Sequence, residues 1–285
     1  MINFGPAGMS AAASAEKFTL ENYLDANKQL GLVCYEYPLT YGTNISDVSA
    51  KKIGELFFSR QTMASVHAPY YINFASSEPE KIEASINYLL NSVKKAKVMG
   101  ADRVVFHPGS LTKQTREVAL NNCIKNLKLF LTRLESENLE GIYICPETMG
   151  KHGQVGTWRE VLTMCKLSER FIPALDFGHI NAFTQGGLKT KEDFFEIINE
   201  FISCGKNAIH IHFSKIEYGD KGELRHLTFS DPKAENFGPD YKVFLDALKE
   251  ISDNVDIRVI SESAGTQDID SKIMLDYLKK GFSKQ

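Results

Sequence analysis

The sequence predicts an α/β protein built as a (β/α)₈ TIM barrel, in a single domain over residues 1–285. Three observations support this fold class. Short β-rich runs alternate with longer polar stretches of helical periodicity. The length of 285 residues suits one barrel. No Pro/Ser-rich linker, low-complexity segment or repeat divides the sequence. A doubly wound open sheet is the second choice, because no glycine-rich dinucleotide turn follows the first strand.

The β-rich runs are each bounded by Gly, Pro, Asp or Ser, as strand ends usually are. In chain order they are INFG, GLVCYEYPL, MASVHAPY, DRVVFHPG, GIYICPET, FIPALDF, AIHIHF and DIRVISES. Between them, SEPEKIEASINYLLNSVKKAKVMG and TREVALNNCIKNLKLFLTRLESENL have apolar residues at three- and four-residue steps, which predicts amphipathic helices. After the seventh strand, SKIEYGDKGELRHLTFSDPKAENFGPD is expected to be a long irregular segment, and such loops usually carry function.

Composition excludes several classes of protein. The net charge of −3 gives no global basic field that would draw the chain to nucleic acid or anionic lipid. Five scattered cysteines without a C-x-x-C pair indicate a reducing compartment rather than a disulfide framework. No apolar run approaches the roughly 20 residues that span a bilayer. The N-terminal stretch lacks the basic start and apolar core of a signal peptide. We therefore expect a cytoplasmic protein with no membrane partner, and nothing in the sequence demands more than a monomer.

Residues that bind metals collect at the predicted strand ends. Strands three to eight end on His67, His107, Glu147, Asp176, His212 and Glu262, and His179 and His226 lie just beyond strands six and seven. A barrel gathers those ends on its carboxyl-terminal face, where barrel enzymes have their active sites. The chain has seven histidines, and five of them fall on this face. The pattern therefore predicts a site rather than scattered structural histidines.

The donor types favour particular metals and a reaction class. Imidazoles mixed with carboxylates, without thiolates, suit zinc, manganese or iron better than magnesium. Eight candidate ligands are too many for one ion, since a catalytic zinc takes about three protein ligands. A carboxylate such as Glu147 can bridge two ions. Two ions about 3.5–4 Å apart activate water and stabilise an in-line phosphoryl displacement. Phosphodiester hydrolysis is therefore the leading reaction class.

Four segments carry a resemblance to a known family. HAPYYIN, FHPGS, DFGH and IHIHFSK resemble the corresponding segments of endonuclease IV, the zinc-dependent apurinic/apyrimidinic endonucleases with a TIM-barrel fold. The similarity extends in order and spacing from Met63 to Ala264. It implies hydrolysis of the phosphodiester 5′ to abasic sites in double-stranded DNA, a base-excision repair activity. The products would be a 3′ hydroxyl and a 5′ deoxyribose phosphate.

The resemblance also implies a role for each candidate ligand. His67, His107 and Glu147 would hold one Zn²⁺, and Glu147 would bridge to a second that Asp176, His212 and Glu262 complete; His179 and His226 would hold a third. Glu147 is thereby the candidate catalytic residue. Mn²⁺ or Fe²⁺ are alternatives to zinc. Tyr70, Tyr71 and Arg225 are the candidates for contact with DNA.

The chain departs from the family at two loops. The family has D-x-H before its last histidine ligand, whereas GELRH has Leu224 at the aspartate position. Glu223, one residue earlier, is the carboxylate that could take its place; without it, two ions would remain. After strand two, EYPLTYGTNIS replaces the family's DNA-inserting loop. These departures affect the expected substrate more than the expected metals.

Two alternatives remain open at this point. A sugar isomerase or epimerase of the xylose isomerase-like superfamily would use one divalent metal and leave His67 and His107 without an ion. A non-catalytic protein that binds abasic DNA would keep the fold and lose turnover. The number of metal ions separates the first alternative from the nuclease, and incision of DNA separates the second.

Overall fold

The structure is a computed structural model, which describes residues 1–40, 42–137 and 139–282. Its strands are β1 (Ile2–Pro6), β2 (Cys34–Pro38), β3 (Met63–His67), β4 (Arg103–Phe106), β5 (Gly109–Ser110), β6 (Tyr143–Pro146), β7 (Gln154–Val155), β8 (Ala174–Asp176), β9 (Ala208–Phe213), β10 (Lys215–Gly219), β11 (Gly222–Leu227) and β12 (Asp256–Ser261). Its α-helices are α1 (Ala11–Ala15), α2 (Leu20–Gln29), α3 (Asp47–Arg60), α4 (Pro79–Met99), α5 (Arg116–Ser136), α6 (Trp158–Cys165), α7 (Phe177–Phe183), α8 (Lys191–Ser203), α9 (Tyr241–Leu248) and α10 (Gln267–Phe282). Each of the predicted β-rich runs coincides with or overlaps one of these strands.

The long helices begin and end where the sequence predicts. Helix α4 has Pro79 in its first turn and ends at Gly100, whose φ of 70° is the left-handed conformation that glycine adopts easily. Helix α5 is capped by the Thr115 side chain, which accepts a hydrogen bond from the backbone of Val118. The predicted run for this helix extends three residues beyond Ser136 to Leu139, and it includes Asn138, which lies outside the described residues. Over the part of the chain that is described, no helix has the length and hydropathy needed to cross a membrane.

The chain forms two compact units. The first contains residues 1–35, 150–152 and the chain from 175 onward. Its sheet has the strand order β1-β12-β9-β8, and β1, β12 and β9 run parallel. The register places His210 beside Arg258 and His212 beside Ile260. Helix α10 packs against β1 and β12, and α8 packs against α9. In this unit Asp176, His212 and Glu262 lie at the carboxyl ends of β8, β9 and β12, respectively.

The second unit contains residues 36–149 and 153–174. Its sheet has the order β2-β3-β4-β6, in which β3, β4 and β6 run parallel, and β5 and β7 form a small antiparallel pair. Helices α3, α4, α5 and α6 pack in sequence. The core contains an aromatic cluster in which the Phe74 ring contacts the rings of Phe106 and Phe130. All three rings are fully buried, so the ends of β3, β4 and β6 stand on a rigid base.

One expectation from the sequence is wrong. The segment after the seventh predicted strand is not irregular, because Lys215–Gly219 and Gly222–Leu227 form an antiparallel hairpin, followed by a short 3₁₀ helix at Pro232–Glu235. A bulge in this hairpin breaks the two-residue alternation of side chains, which hides the strands from a search based on periodicity.

Candidate metal centres

The second unit brings His67, His107 and Glu147 together. His67 is the last residue of β3, His107 follows the last residue of β4, and Glu147 follows the last residue of β6. These strands are parallel neighbours, so their carboxyl ends lie along one edge of the sheet. The Nε2 atoms of His67 and His107 each lie 3.2 Å from Oε2 of Glu147. One donor atom from each residue therefore converges on a common point, and we call these three residues the His67 group.

The distances within the His67 group fit a metal ion. Donor atoms around a tetrahedral zinc ion stand about 3.3 Å apart when each is about 2.0–2.1 Å from the metal. The measured separations of 3.2 Å agree with that spacing. Glu147 is fully buried and His67 is 5% exposed. A carboxylate so deeply buried needs cationic or hydrogen-bonding partners, and a bound ion would add to those that the two imidazoles provide.

The orientation of His67 leaves one nitrogen for that ion. Its Nδ1 atom is 2.8 Å from the carbonyl oxygen of Ala68, which can only accept, so Nδ1 carries the proton and donates. The Nε2 atom, which faces Glu147, then has its lone pair available. Tyr70 covers the imidazoles, with its ring centroid 5.7 Å from that of His67 and 5.2 Å from that of His107. Its side chain is 52% exposed.

The first unit brings His179, Glu223 and His226 together, and we call them the His179 group. His179 lies in the first turn of α7, and the other two lie on β11. Oε2 of Glu223 is 3.4 Å from Nε2 of His179, and Oε1 is 3.9 Å from Nε2 of His226. The two imidazole rings are 5.4 Å apart. Two imidazoles and one carboxylate are again a donor set that suits zinc, manganese or iron.

Asp176 fixes the position of His179. Its Oδ1 accepts the backbone N–H of His179 at 2.7 Å and so caps helix α7. Its Oδ2 lies 3.2 Å from Nδ1 of the same imidazole. The hydrogen bond to the backbone fixes the turn that carries His179, and the Nδ1 atom of its imidazole lies on the side of the carboxylate. The other ring nitrogen, Nε2, faces Glu223.

A β-bulge explains why Glu223, and not Leu224, faces the group. In the hairpin, Tyr218 pairs with Glu223 and Glu217 pairs with Arg225, so Leu224 is an extra residue on β11. A regular strand would point Glu223 and His226 to opposite faces, because they are three residues apart. The extra residue shifts the alternation by one and returns both to the same face. Leu224 itself is 63% exposed.

A further set of donors lies in the first unit at the ends of β8, β9 and β12. One donor atom each of Asp176, His212 and Glu262 lies within 4.8 Å of the others. Nδ1 of His212 is 3.5 Å from Oε1 of Glu262. Nε2 of His212 is 3.2 Å from Nε2 of His210, which is fully buried behind it. His210 is therefore a hydrogen-bonding partner that orients His212.

The candidates for DNA contact differ in their surroundings. Tyr70 stands over the His67 group, whereas the Tyr71 ring packs 5.8 Å from Tyr88 of α4. Both tyrosines are about half exposed, at 52% and 57%. Arg225 pairs with Glu217 at 2.8 Å and with Asp231 at 3.3 Å. Hydrogen bonds from Lys233 and Arg225 lower the pKa of the Glu217 carboxyl. A DNA phosphate would have to compete with these carboxylates for the guanidinium.

Two further residues near these groups, Glu36 and Ser214, are not among the candidates predicted from the sequence. Glu36 of β2 is buried and accepts a hydrogen bond from the Ser65 hydroxyl at 2.8 Å. Its signal was a carboxylate inside the second β-rich run. Ser214, at the turn between β9 and β10, lies 2.8 Å from His226 through its hydroxyl. A serine in that position gives no sequence signal, because its role depends on the hairpin.

The chain is similar to proteins of one broad family. The family described as xylose isomerase-like TIM barrel matches residues 24–271. An uncharacterised protein of Methanocaldococcus jannaschii is 35% identical over 254 residues, which cover 88% of each chain. "Probable endonuclease 4" of Mycoplasma pneumoniae is 32% identical over 171 residues, 58% of each chain.

Solved structures show the same fold at lower identity. A D-tagatose 3-epimerase-like protein superposes with a TM-score of 0.72 at 22% identity and 99% coverage of both chains. SacUVDE gives 0.70 at 16% identity, again with 99% coverage of both. Endonuclease IV from Thermus thermophilus gives 0.64 at 18% identity, covering 98% of this chain and 99% of that one.

Proposed function

Because the chain belongs to the xylose isomerase-like TIM barrel family, we propose that it is a metal-dependent endonuclease that hydrolyses DNA on the 5′ side of abasic sites. The observation that carries this proposal is the His67 group. Two imidazole nitrogens converge at 3.2 Å on one buried carboxylate oxygen, a set of three donors that would leave a coordination position of a metal ion open for water. Relatives named "Probable endonuclease 4" support the DNA substrate.

Separate ions would occupy the two groups. His67, His107 and Glu147 would hold one, and His179, Glu223 and His226 would hold another. Asp176, His212 and Glu262 supply donors for a further ion, and the bridging role of Glu147 stays a prediction. Zinc fits the nitrogen-rich donor sets, with Mn²⁺ and Fe²⁺ as alternatives. Bound ions would lower the pKa of a water and neutralise the phosphate during its displacement.

The protein's own residues prepare this chemistry in three ways. Nδ1 of His67 donates to the Ala68 carbonyl, and the Asp176 carboxylate accepts the backbone N–H of His179 at 2.7 Å, so both histidines are positioned by the chain itself. Glu147 is buried, which strengthens its attraction for cations. Tyr70 presents an exposed ring beside the His67 group, where it can stack on a base next to a gap in the helix.

A sugar epimerase is the second candidate. The D-tagatose 3-epimerase-like structure, with its TM-score of 0.72, favours it at the level of the fold. An epimerase with one divalent metal would leave the His67 group without a role, and its convergent geometry would have no explanation. The nuclease accounts for both groups and is therefore preferred.

Incision of a defined duplex with a single abasic site tests the proposal. Zinc-loaded protein should make one cut 5′ to the lesion, and chelator-stripped protein should make none. Glu147→Gln should lose at least about 100-fold in activity, because even outer partners of metal ligands contribute about 10–100-fold. An unchanged duplex with fully loaded protein, together with epimerisation of D-tagatose, would replace the nuclease with the sugar enzyme.

A further inference from the structure

Ser214 is a buried residue that touches a candidate metal ligand and that the proposed chemistry does not use. It lies at the turn between β9 and β10, and none of its surface is exposed. Its Oγ atom is 2.8 Å from Nδ1 of His226. The opposite nitrogen of that imidazole, Nε2, faces Glu223. Ser214 is therefore in a position to decide which nitrogen of His226 carries the proton.

The choice between the two tautomers has a chemical consequence. A hydroxyl that donates to Nδ1 would leave the proton on Nε2, and that nitrogen could bind no cation. A hydroxyl that accepts the Nδ1–H leaves the Nε2 lone pair available. His67 shows the arrangement in which Nδ1 donates, because its Nδ1 atom lies 2.8 Å from the carbonyl oxygen of Ala68. Metal-binding histidines usually donate their other N–H in this manner.

The turn that carries Ser214 is fixed against helix α7. A Cβ atom at Gly178 would lie 2.8 Å from the carbonyl oxygen of Ser214 and 2.9 Å from the Ile216 side chain. Only a glycine at this position allows the helix and the turn to approach so closely. Gly178 directly precedes His179, so this contact also sets the spacing of 5.4 Å between the His179 and His226 rings.

We propose that Ser214 is a positioning residue, whose hydroxyl accepts the Nδ1–H of His226 and thereby directs the Nε2 lone pair at a divalent cation shared with His179 and Glu223. The inference rests on the proposed metal centre. It deepens that proposal, because it makes one serine responsible for the tautomer of His226 and for the direction in which that ligand points. It concerns cation binding in the absence of DNA.

The test compares Ser214→Ala with Ser230→Ala. Ser230 is the matched control, since its hydroxyl bonds only to Thr228 among the contacts described, in the segment after β11. Purified protein is stripped, titrated with Zn²⁺ alone, and its dissociation constants are measured by competition with a chelator. Ser214→Ala should bind one equivalent about 10–100-fold more weakly and the remaining equivalents as the wild type does. Ser230→Ala should match the wild type throughout.

A spectroscopic readout separates positioning from simple structural support. The ¹⁵N shifts of His226 should report protonation at Nδ1 in the metal-free wild type and a mixture of tautomers in Ser214→Ala. In a His226→Ala background, the serine substitution should cause no further loss of zinc. Wild-type affinity in Ser214→Ala would overturn the inference, and so would an equal weakening of every equivalent with a lower unfolding temperature.

The outcome is independent of nuclease activity. If zinc binding and the tautomer respond as expected but abasic DNA is not cut, the proposed substrate fails and the role of Ser214 stands. If the DNA is cut and Ser214→Ala keeps all of its zinc at wild-type affinity, the proposed function stands and the role of Ser214 fails.

Discussion

Glu223 and His226 face the same group of candidate metal ligands although two residues separate them along β11, with Oε1 of Glu223 3.9 Å from Nε2 of His226. The bulge at Leu224 makes this possible, because it shifts the alternation of side chains by one residue. The arrangement restores a carboxylate to a position that the sequence alone shows as leucine. The hairpin thus determines whether the His179 group has three donors.

Replacement of Glu223 tests that role directly. Glu223→Gln should weaken one zinc equivalent by at least about 100-fold, since a lost ligand costs more than a lost outer partner. Glu217→Gln is the control, because Glu217 belongs to the same hairpin and pairs with Arg225 and Lys233 instead. Chelator competition measures both. Equal zinc affinities in the two variants would remove Glu223 from the group.

Deletion of Leu224 tests the bulge. The shortened strand, with Glu223 and His226 now two residues apart, should pair regularly and still direct both side chains to one face. We expect the deletion variant to keep the full number of zinc ions, whereas deletion combined with Glu223→Gln should lose one. Metal content by atomic emission decides this. Loss of zinc in the single deletion would show that the bulge does more than restore the alternation.

Gly178→Ala should disturb both the fold and the His179 group. The added methyl group meets the Ser214 carbonyl at 2.8 Å, and overpacking of this kind costs about 1–3 kcal/mol of unfolding free energy. Gly153→Ala is the control, because nothing lies within 4 Å of its Cβ position. Urea denaturation of the metal-free proteins measures the cost. Identical stabilities of the two variants would contradict the close approach of α7 to the turn.

The buried carboxyl of Asp270 should make the stability of the protein depend on pH. Burial raises the pKa of its carboxyl above the ordinary value of 3.8. The contribution of this carboxyl to the unfolding free energy is therefore fully present below pH 3.8, the ordinary pKa. It is lost as the pH rises through the higher pKa of the folded state. Asp270→Asn stays neutral and keeps an oxygen for the Phe229 N–H. Its unfolding free energy relative to the wild type should therefore be greater at pH 7 than at pH 4.

The measurement for Asp270 is urea unfolding of both proteins at the two pH values. Groups common to the two proteins cancel in the difference, so the comparison isolates this carboxyl. Thr266 also donates to Oδ2 at 3.1 Å and remains in the variant. A difference that does not change with pH would mean that Asp270 titrates as it does in the unfolded chain.

Substitution of Tyr70 and of Tyr71 distinguishes a tyrosine that contacts DNA from one that packs within the protein. Tyr70→Ala should weaken binding to an abasic duplex, because stacking on a base contributes about 1–3 kcal/mol. Tyr71→Ala should have a smaller effect, since that ring already packs on Tyr88. Fluorescence anisotropy with a labelled duplex at one fixed salt concentration measures both affinities. Equal losses in the two variants would assign both rings to the DNA.

The sequence predicted the strands well because their signal is local. Runs such as AIHIHF and DIRVISES are apolar, short and bounded by turn residues, and both became strands of the first unit. The hairpin at Lys215–Leu227 could not be found in this way. Its register depends on a bulge, and its pairing depends on contacts between residues such as Glu217 and Arg225.

The candidate site was predictable in residue type and less so in detail. His67, His107 and Glu147 follow from strand ends, since parallel neighbours bring those ends together. Ser214 could not follow from the sequence, because a serine near a histidine has many ordinary roles. Glu223 stays the carboxylate that could replace the missing aspartate, and its direction depends on the bulge at Leu224, which the sequence does not reveal.

If the proposed metal centres are correct, these imidazole contacts bear on how the protein responds when metal is scarce. The Ala68 carbonyl accepts from the His67 ring and the Asp176 carboxylate accepts from the His179 backbone, and neither hydrogen bond needs an ion. In zinc fingers, by contrast, the chain folds only when the ion arrives. Here we expect the chain without zinc to stay folded with its candidate ligands in place. Zinc could then bind again by ligand exchange, without refolding of the chain.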